Sequence, residues 1–161
     1  MENKDRAKYF KHRKLIAIDP GKNGGIVIYN LQENRVIEAM KMPETPQEIL
    51  ALLKIYSINS VCYIEKVQGI PGNAANAMFN FGRGFGHLEM ALLSCRIPTI
   101  EVHPQKWQKA LSTGTKGKKT TTEWKNKLKS IAQSLYPSLG KITLAISDAL
   151  LICRYGVLQE K

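Results

Sequence analysis

Acidic side chains are scarce in this 161-residue chain: 13 Asp and Glu stand against 24 Lys and Arg, a formal charge of +11. That imbalance favours a polyanionic partner, because lysines that neutralise phosphates release condensed counterions. The plainer reading is a soluble basic protein with no specific partner. Cysteine is sparse as well. Cys62, Cys95 and Cys153 lie far apart in apolar stretches, with no CxxC or Cys/His spacing. This argues against zinc and for buried, reduced thiols. No apolar run nears the roughly 20 residues of a membrane span. The opening MENKDRAKYFKHRK is too polar for a signal peptide. A soluble, cytoplasmic protein with no membrane partner is expected. Internal repeats and low-complexity tracts are missing too.

What is present reads as one domain over residues 14–161, preceded by a basic arm over 1–13. Residues 14–20 form a strand whose continuous apolar character predicts burial on both faces. Gly21 to Gly25 is a turn, 26–29 a second strand, and Arg35 to Met42 a third. Thr45 with Glu48 resembles a capping box and opens a helix to about Tyr56. Ser60 to Glu65 is the fourth strand, Pro98 to Val102 the fifth. Pro104 starts a short helix, Ser112 to Lys119 is a polar loop, and Thr122 or a neighbour opens a helix ending before Pro137. Residues 142–158 form the last helix. The fold class is α/β: a mixed five-stranded sheet, its first three strands an antiparallel meander and the later ones parallel, flanked by helices.

The helix expected over 74–95 carries two apolar rows. Met78, Phe81, Phe85 and Leu88 continue through Leu92 and Cys95 at spacings of three and four. Phe79, Gly82, Gly86, Met90 and Leu93 form the neighbouring row. The first row is a candidate dimer interface. Packing on the protein's own sheet is the alternative, and both can hold on different faces.

Three carboxylates stand in apolar surroundings. Asp19 ends Leu15-Ile16-Ala17-Ile18, Glu65 ends Val61-Cys62-Tyr63-Ile64, and Asp148 sits within Ala145 to Ile152. A lone buried anion is costly unless paired, protonated or metal-bound. Alternation places Asp19 with Leu15 and Ala17, and Glu65 with Val61 and Tyr63. Helical geometry points Asp148 at the body of the protein. If all three converge, they are candidate metal ligands and catalytic groups. Hard oxygen donors select Mg²⁺, with Mn²⁺ as a substitute. Two such ions can activate water and stabilise a leaving 3′-oxygen. Each residue also has a plainer reading. Asp19 can initiate the Pro-Gly turn, Glu65 can pair with Lys66 at the surface, and Asp148 can be structural. His12, His87 and His103 are isolated. Lys22, Arg83, Lys106, Lys109, Lys116, Lys118, Lys119 and Lys125 are candidate DNA contacts, or simply a solvated surface.

In order along the chain, Ile16 to Gly21, Ile64-Glu65-Lys66-Val67 with Pro71 to Asn73 and Met78 to Gly82, Val102 to Trp107, and Ser147 to Ile152 form a recognisable set. The set resembles RuvC-like Holliday-junction resolvases of phage and bacterial type, whose fold is ribonuclease H-like. The resemblance spans about residues 14–156. It implies a homodimer that cuts branched DNA with Mg²⁺ held by Asp19, Glu65 and Asp148. Two departures stand out. A fourth acid is usual three or four residues before the last one, where this chain has Ala145 and Leu144. An aromatic wedge found in some members is replaced by Gln68. A junction-binding protein with weak or lost cleavage is therefore the alternative. An actin-like ATPase lobe is a third reading of the turn after Asp19, though the chain is short for the two lobes it needs.

Overall fold

A computed structural model describes residues 13–68, 72 and 74–161. The basic arm up to residue 12, with His12, and positions 69–71 and 73 lie outside the described residues. Five strands form one sheet: β1 (Lys14–Asp19), β2 (Gly25–Asn30), β3 (Arg35–Lys41), β4 (Ser60–Glu65) and β5 (Thr99–Val102). Their order is β3-β2-β1-β4-β5. β1, β2 and β3 pair antiparallel, whereas β4 pairs parallel with both β1 and β5. The expected meander and parallel crossovers are both present. The helices are α1 (Pro46–Tyr56), α2 (Ala75–Ser94), α3 (Pro104–Ala110), α4 (Thr121–Leu135) and α5 (Leu144–Gln159), with a 3₁₀ turn at Pro137–Leu139.

β1 and β4 are apolar without alternation because both of their faces are covered. Ile16, Ile18, Cys62 and Ile64 pack with Ile49 and Leu53 of α1 and with Leu88 and Leu92 of α2. Leu15, Ala17, Val61 and Tyr63 pack on the other face with Trp107, Trp124, Leu128 and the interior side chains of α5. α5 is buried along most of its length, from Ser147 through Val157. Its seat on the sheet is close at both ends. A Cβ on Gly156 would lie 2.6 Å from a Leu15 methyl, and one on Gly25 would lie 2.6 Å from the Ala145 carbonyl oxygen. α5 therefore runs antiparallel to β1, with its first turn over the end of β1 that carries Asp19.

Helix starts are fixed by local chemistry. At α1, Thr45 Oγ1 accepts from the Glu48 N–H, and Glu48 Oε2 accepts from the Thr45 N–H. Thr120 and Glu123 repeat that reciprocal pair at α4. The α4 cap is thus Thr120 and the helix opens at Thr121, a neighbour of Thr122 as expected from sequence. The three cysteines are free thiols, with Cys62 and Cys153 buried. Burial pushes the Cys153 thiol up to about 12, as expected of a chemically quiet thiol.

The row Met78-Phe81-Phe85-Leu88 turns mainly inward. Leu88 is 1% exposed, inside the protein's own core, and Phe85 packs against the same cluster. The Phe81 ring lies against the turn at Gly21. Among the four interface candidates, Leu88 is corrected to a core residue: α2 must cover the apolar face of β1 and β4, and it does so with this row. The other row stays open to solvent, with Phe79, Met90 and Leu93 at 68%, 61% and 69% exposure. Cβ atoms on Gly82 and Gly86 would meet nothing within 4 Å. Among the described residues, no helix is long and apolar enough to cross a membrane.

Candidate active site

The parallel register pairs Ile18 with Ile64, so β1 and β4 end side by side. Asp19 and Glu65 each lie one step beyond that pair. Both follow the side-chain parity of Leu15, Ala17, Val61 and Tyr63, which is the face covered by α5. Asp148 lies one turn into α5, 7% exposed, above the same strand ends. Asp19 and Glu65 both lie close enough to Asp148 for its charge to act on them. Asp19 is pushed up to about 8, first by burial, then by the charges of Asp148 and Glu65, against the opposing pull of Lys125. Glu65 is also raised, first by burial. Its bond from Trp107 and the charge of Lys125 oppose that rise, and Asp148 adds to it.

Two cross-links position the carboxylates. The buried Trp107 donates its indole N–H to Glu65 Oε2 at 2.8 Å. β5 delivers it: the backbone pairs Glu65 with Val102, and α3 begins two residues later. Lys125 Nζ donates to Asp148 Oδ2 at 2.6 Å. Lys125 therefore stands inside the acidic pocket, where its ammonium also feels Asp19 and Glu65. Burial is the largest single influence on that ammonium and pulls its pKa down, but the carboxylates outweigh it and leave the pKa raised. Ser147 Oγ lies 3.4 Å from Asp148 Oδ1.

The plainer reading of Glu65 fails on contact: Lys66 pairs with Glu101 at 3.8 Å, and the partner of Glu65 is Trp107. Two site features were not read from sequence. A buried indole usually finds an acceptor, so Trp107 carried a readable signal but no indication of which acceptor. Lys125, expected among the DNA contacts, instead turns its ammonium to Asp148, a pairing that depends on how α4 and α5 cross.

Of the other basic candidates, Lys22 is exposed in the turn after Asp19, and Arg83, Lys106 and Lys109 are exposed on α2 and α3. Lys116, Lys118 and Lys119 are exposed in the loop before α4, with Lys116 Nζ donating to Thr121 Oγ1 at 3.0 Å.

The donor set suits a hard divalent cation in kind, since it offers carboxylate oxygens only, and the charge of Asp148 raises both Asp19 and Glu65. Among the described residues, no group of three His, Cys, Asp or Glu side chains is arranged as a metal-ligand cluster. The acids share an electric field, and the ion paired with Asp148 is Lys125.

No family model and no curated protein matches the chain. Solved structures do. "T. thermophilus RuvC in complex with Holliday junction substrate" superposes with a TM-score of 0.64 at 15% identity, covering 91% of this chain and 98% of that one. "Thermus thermophilus RuvC structure" gives 0.56 at 16% identity, covering 89% and 97%. The chain has the RuvC-like, ribonuclease H-like fold.

Proposed function

We propose that the protein is a structure-selective DNA endonuclease that resolves four-way junctions by divalent-metal-dependent phosphodiester hydrolysis. One observation carries the reading: Asp19 of β1 and Glu65 of β4 are both raised by burial and by the charge of Asp148 on α5, at the strand ends of a RuvC-like fold. In this reading Asp19, Glu65 and Asp148 hold Mg²⁺, or Mn²⁺ in its place. When bound, the ion supplies Lewis-acid stabilisation and an activated water. Trp107 holds one Glu65 oxygen so that the other faces the pocket. The exposed lysines of α3 and of the loop before α4, with Lys22 and Arg83, contact DNA phosphates and set orientation rather than sequence. A homodimer would present two such pockets related by a two-fold axis, matching a branched substrate of similar symmetry. The outward row Phe79-Met90-Leu93 supports such a pairing surface. The intracellular role is processing of recombination or repair intermediates, in a host cytoplasm if the chain is phage-encoded.

A second reading, junction binding without cleavage, is favoured by two features. Leu144 and Ala145 offer no side-chain oxygen, and Lys125 occupies one oxygen of Asp148. A nicking assay on a synthetic four-way junction across Mg²⁺ and Mn²⁺ titrations decides between them. Asp19→Asn or Glu65→Gln is expected to abolish nicking and leave junction binding largely intact. Full cleavage by either variant refutes the assigned roles. A wild-type chain that binds junctions but never nicks supports the second reading.

A further inference from the structure

β5 is the last strand of the sheet, with β4 on one side and, among the described residues, no strand on the other. Its ladder to β4 uses alternate residues. The Cys62 N–H donates to the Pro98 carbonyl and the Lys66 N–H to that of Val102. The register pairs Cys62 with Thr99 and Ile64 with Glu101. The N–H and C=O groups of Thr99 and Glu101 therefore point away from β4, along the open edge. Among the described residues those groups meet no partner, and both residues are exposed. An open edge of this kind is a template for one more strand.

The edge borders a groove. By the same register Thr99 and Glu101 turn their side chains to the α2 face of the sheet, beside Ile64. A cavity of about 310 Å³ lies there, lined by Ile64, Phe85, Leu92 and Ile97 together with Glu89 and Glu101. Its floor is apolar and its charges are both acidic. Glu89 is exposed and makes no ion pair among the described residues. Glu101 meets Lys66 at 3.8 Å with both side chains nearly half exposed. Such a pair is weak, and an incoming cation can share it.

This chemistry selects the occupant. Two carboxylates repel DNA phosphates, so the groove stands apart from the basic surface of a chain that carries +11 overall. A second copy adding its own β5 would bring another Glu101 to the same edge, where like charges destabilise pairing. A strand that carries cations meets neither obstacle.

We propose that the β5 edge and its groove dock an extended, basic peptide segment of another protein. The segment is added as a further strand, with apolar side chains in the groove and lysine or arginine side chains at Glu89 and Glu101. The groove opens on the α2 face, whereas Asp19 and Glu65 follow the α5 face. Docking is thus independent of the nuclease reading.

The probe is a fluorescein-labelled peptide, Lys-Thr-Leu-Thr-Lys-Thr-Leu-Thr with blocked ends, read by anisotropy against the full chain. It should bind saturably below millimolar concentration. The same peptide with glutamate for lysine should bind at least about tenfold more weakly, and Glu89→Lys with Glu101→Lys should reverse that preference. Thr99→Pro deletes an outward N–H and spares the ladder to β4, so it should weaken binding several-fold. Two further peptides, N-methylated at one or the other set of alternate residues, test edge pairing without altering the chain; one of them should fail to bind. Melting curves check that each variant folds, and where one does not, the unmodified chain with the four peptides decides. No saturable binding, equal binding of the lysine and glutamate peptides, or full binding of both methylated peptides overturns the proposal and leaves the nuclease reading standing. Displacement of the peptide by junction DNA, or a wild-type dimer that Thr99→Pro makes monomeric, gives the edge to another occupant and overturns it too.

Discussion

Asp19 is the most perturbed carboxyl in the pocket, and its direction of shift fixes a pH dependence. Its native pKa, about 8, lies above the ordinary 3.8, so the native chain holds this proton more tightly than the unfolded one does. Protonation therefore favours folding. The contribution is full below the ordinary value and is lost as pH rises toward 8. Metal-free protein should lose melting temperature across that window, and Asp19→Asn should flatten the slope. Glu65 is shifted in the same direction and will leave part of it. Thermal melts of both chains at matched ionic strength check this. A wild-type profile as flat as that of Asp19→Asn would show that Asp19 is not enclosed in solution. Trp107 allows a second test at this scale. Trp107→Phe keeps most of the buried ring but deletes the donor to Glu65. Losing a bond that orients a ligand should reduce nicking roughly 10- to 100-fold. Single-turnover rates at saturating Mg²⁺, with a melting curve as control, separate that loss from unfolding.

At the scale of elements, the site depends on where α5 is seated. Gly25 is the tightest point, because an added Cβ would sit 2.6 Å from the Ala145 carbonyl and 2.7 Å from that of Met40. Both are backbone atoms, so neither can rotate away. Gly25→Ala should destabilise by about 1–3 kcal/mol and lift the first turn of α5, with Asp148, off the end of β1. Denaturant unfolding measures the first effect. Nicking well below the melting temperature should fall by more than the lost stability explains. Much of this layer was legible. Continuous apolar runs marked strands covered on both faces, short turns marked the meander, and Thr45 with Glu48 marked a helix start. The choice of the α4 cap has a physical reason. Thr120, Thr121 and Thr122 can all cap, and the choice falls to Thr120 because Glu123 is three residues on and can bond back. The Lys125–Asp148 pair was not legible, since it depends on how two helices cross over a sheet. Nor could sequence choose between the two rows of α2. Both are apolar, and only the position of the sheet made Leu88 interior and left Met90 outside.

For the molecule as a whole, that choice makes a prediction about assembly. If the RuvC-like chain pairs through the outward row of α2, then Met90→Glu or Leu93→Glu should convert a dimer to a monomer with little change in melting temperature, because both side chains are exposed. Light scattering coupled to size-exclusion chromatography reads the mass directly. A wild-type monomer at micromolar concentration, with or without junction DNA, would remove α2 as the pairing surface. The excess of basic residues was legible from composition alone, but not that one lysine is spent inside the protein on Asp148.

The pocket draws on the first strand and the last helix, so its parts are made far apart in time. During synthesis Asp19 emerges early, whereas Asp148 follows only after every strand has left the ribosome. A nascent chain, or a message broken upstream of the final helix, yields a product in which Asp19 and Glu65 lack Asp148.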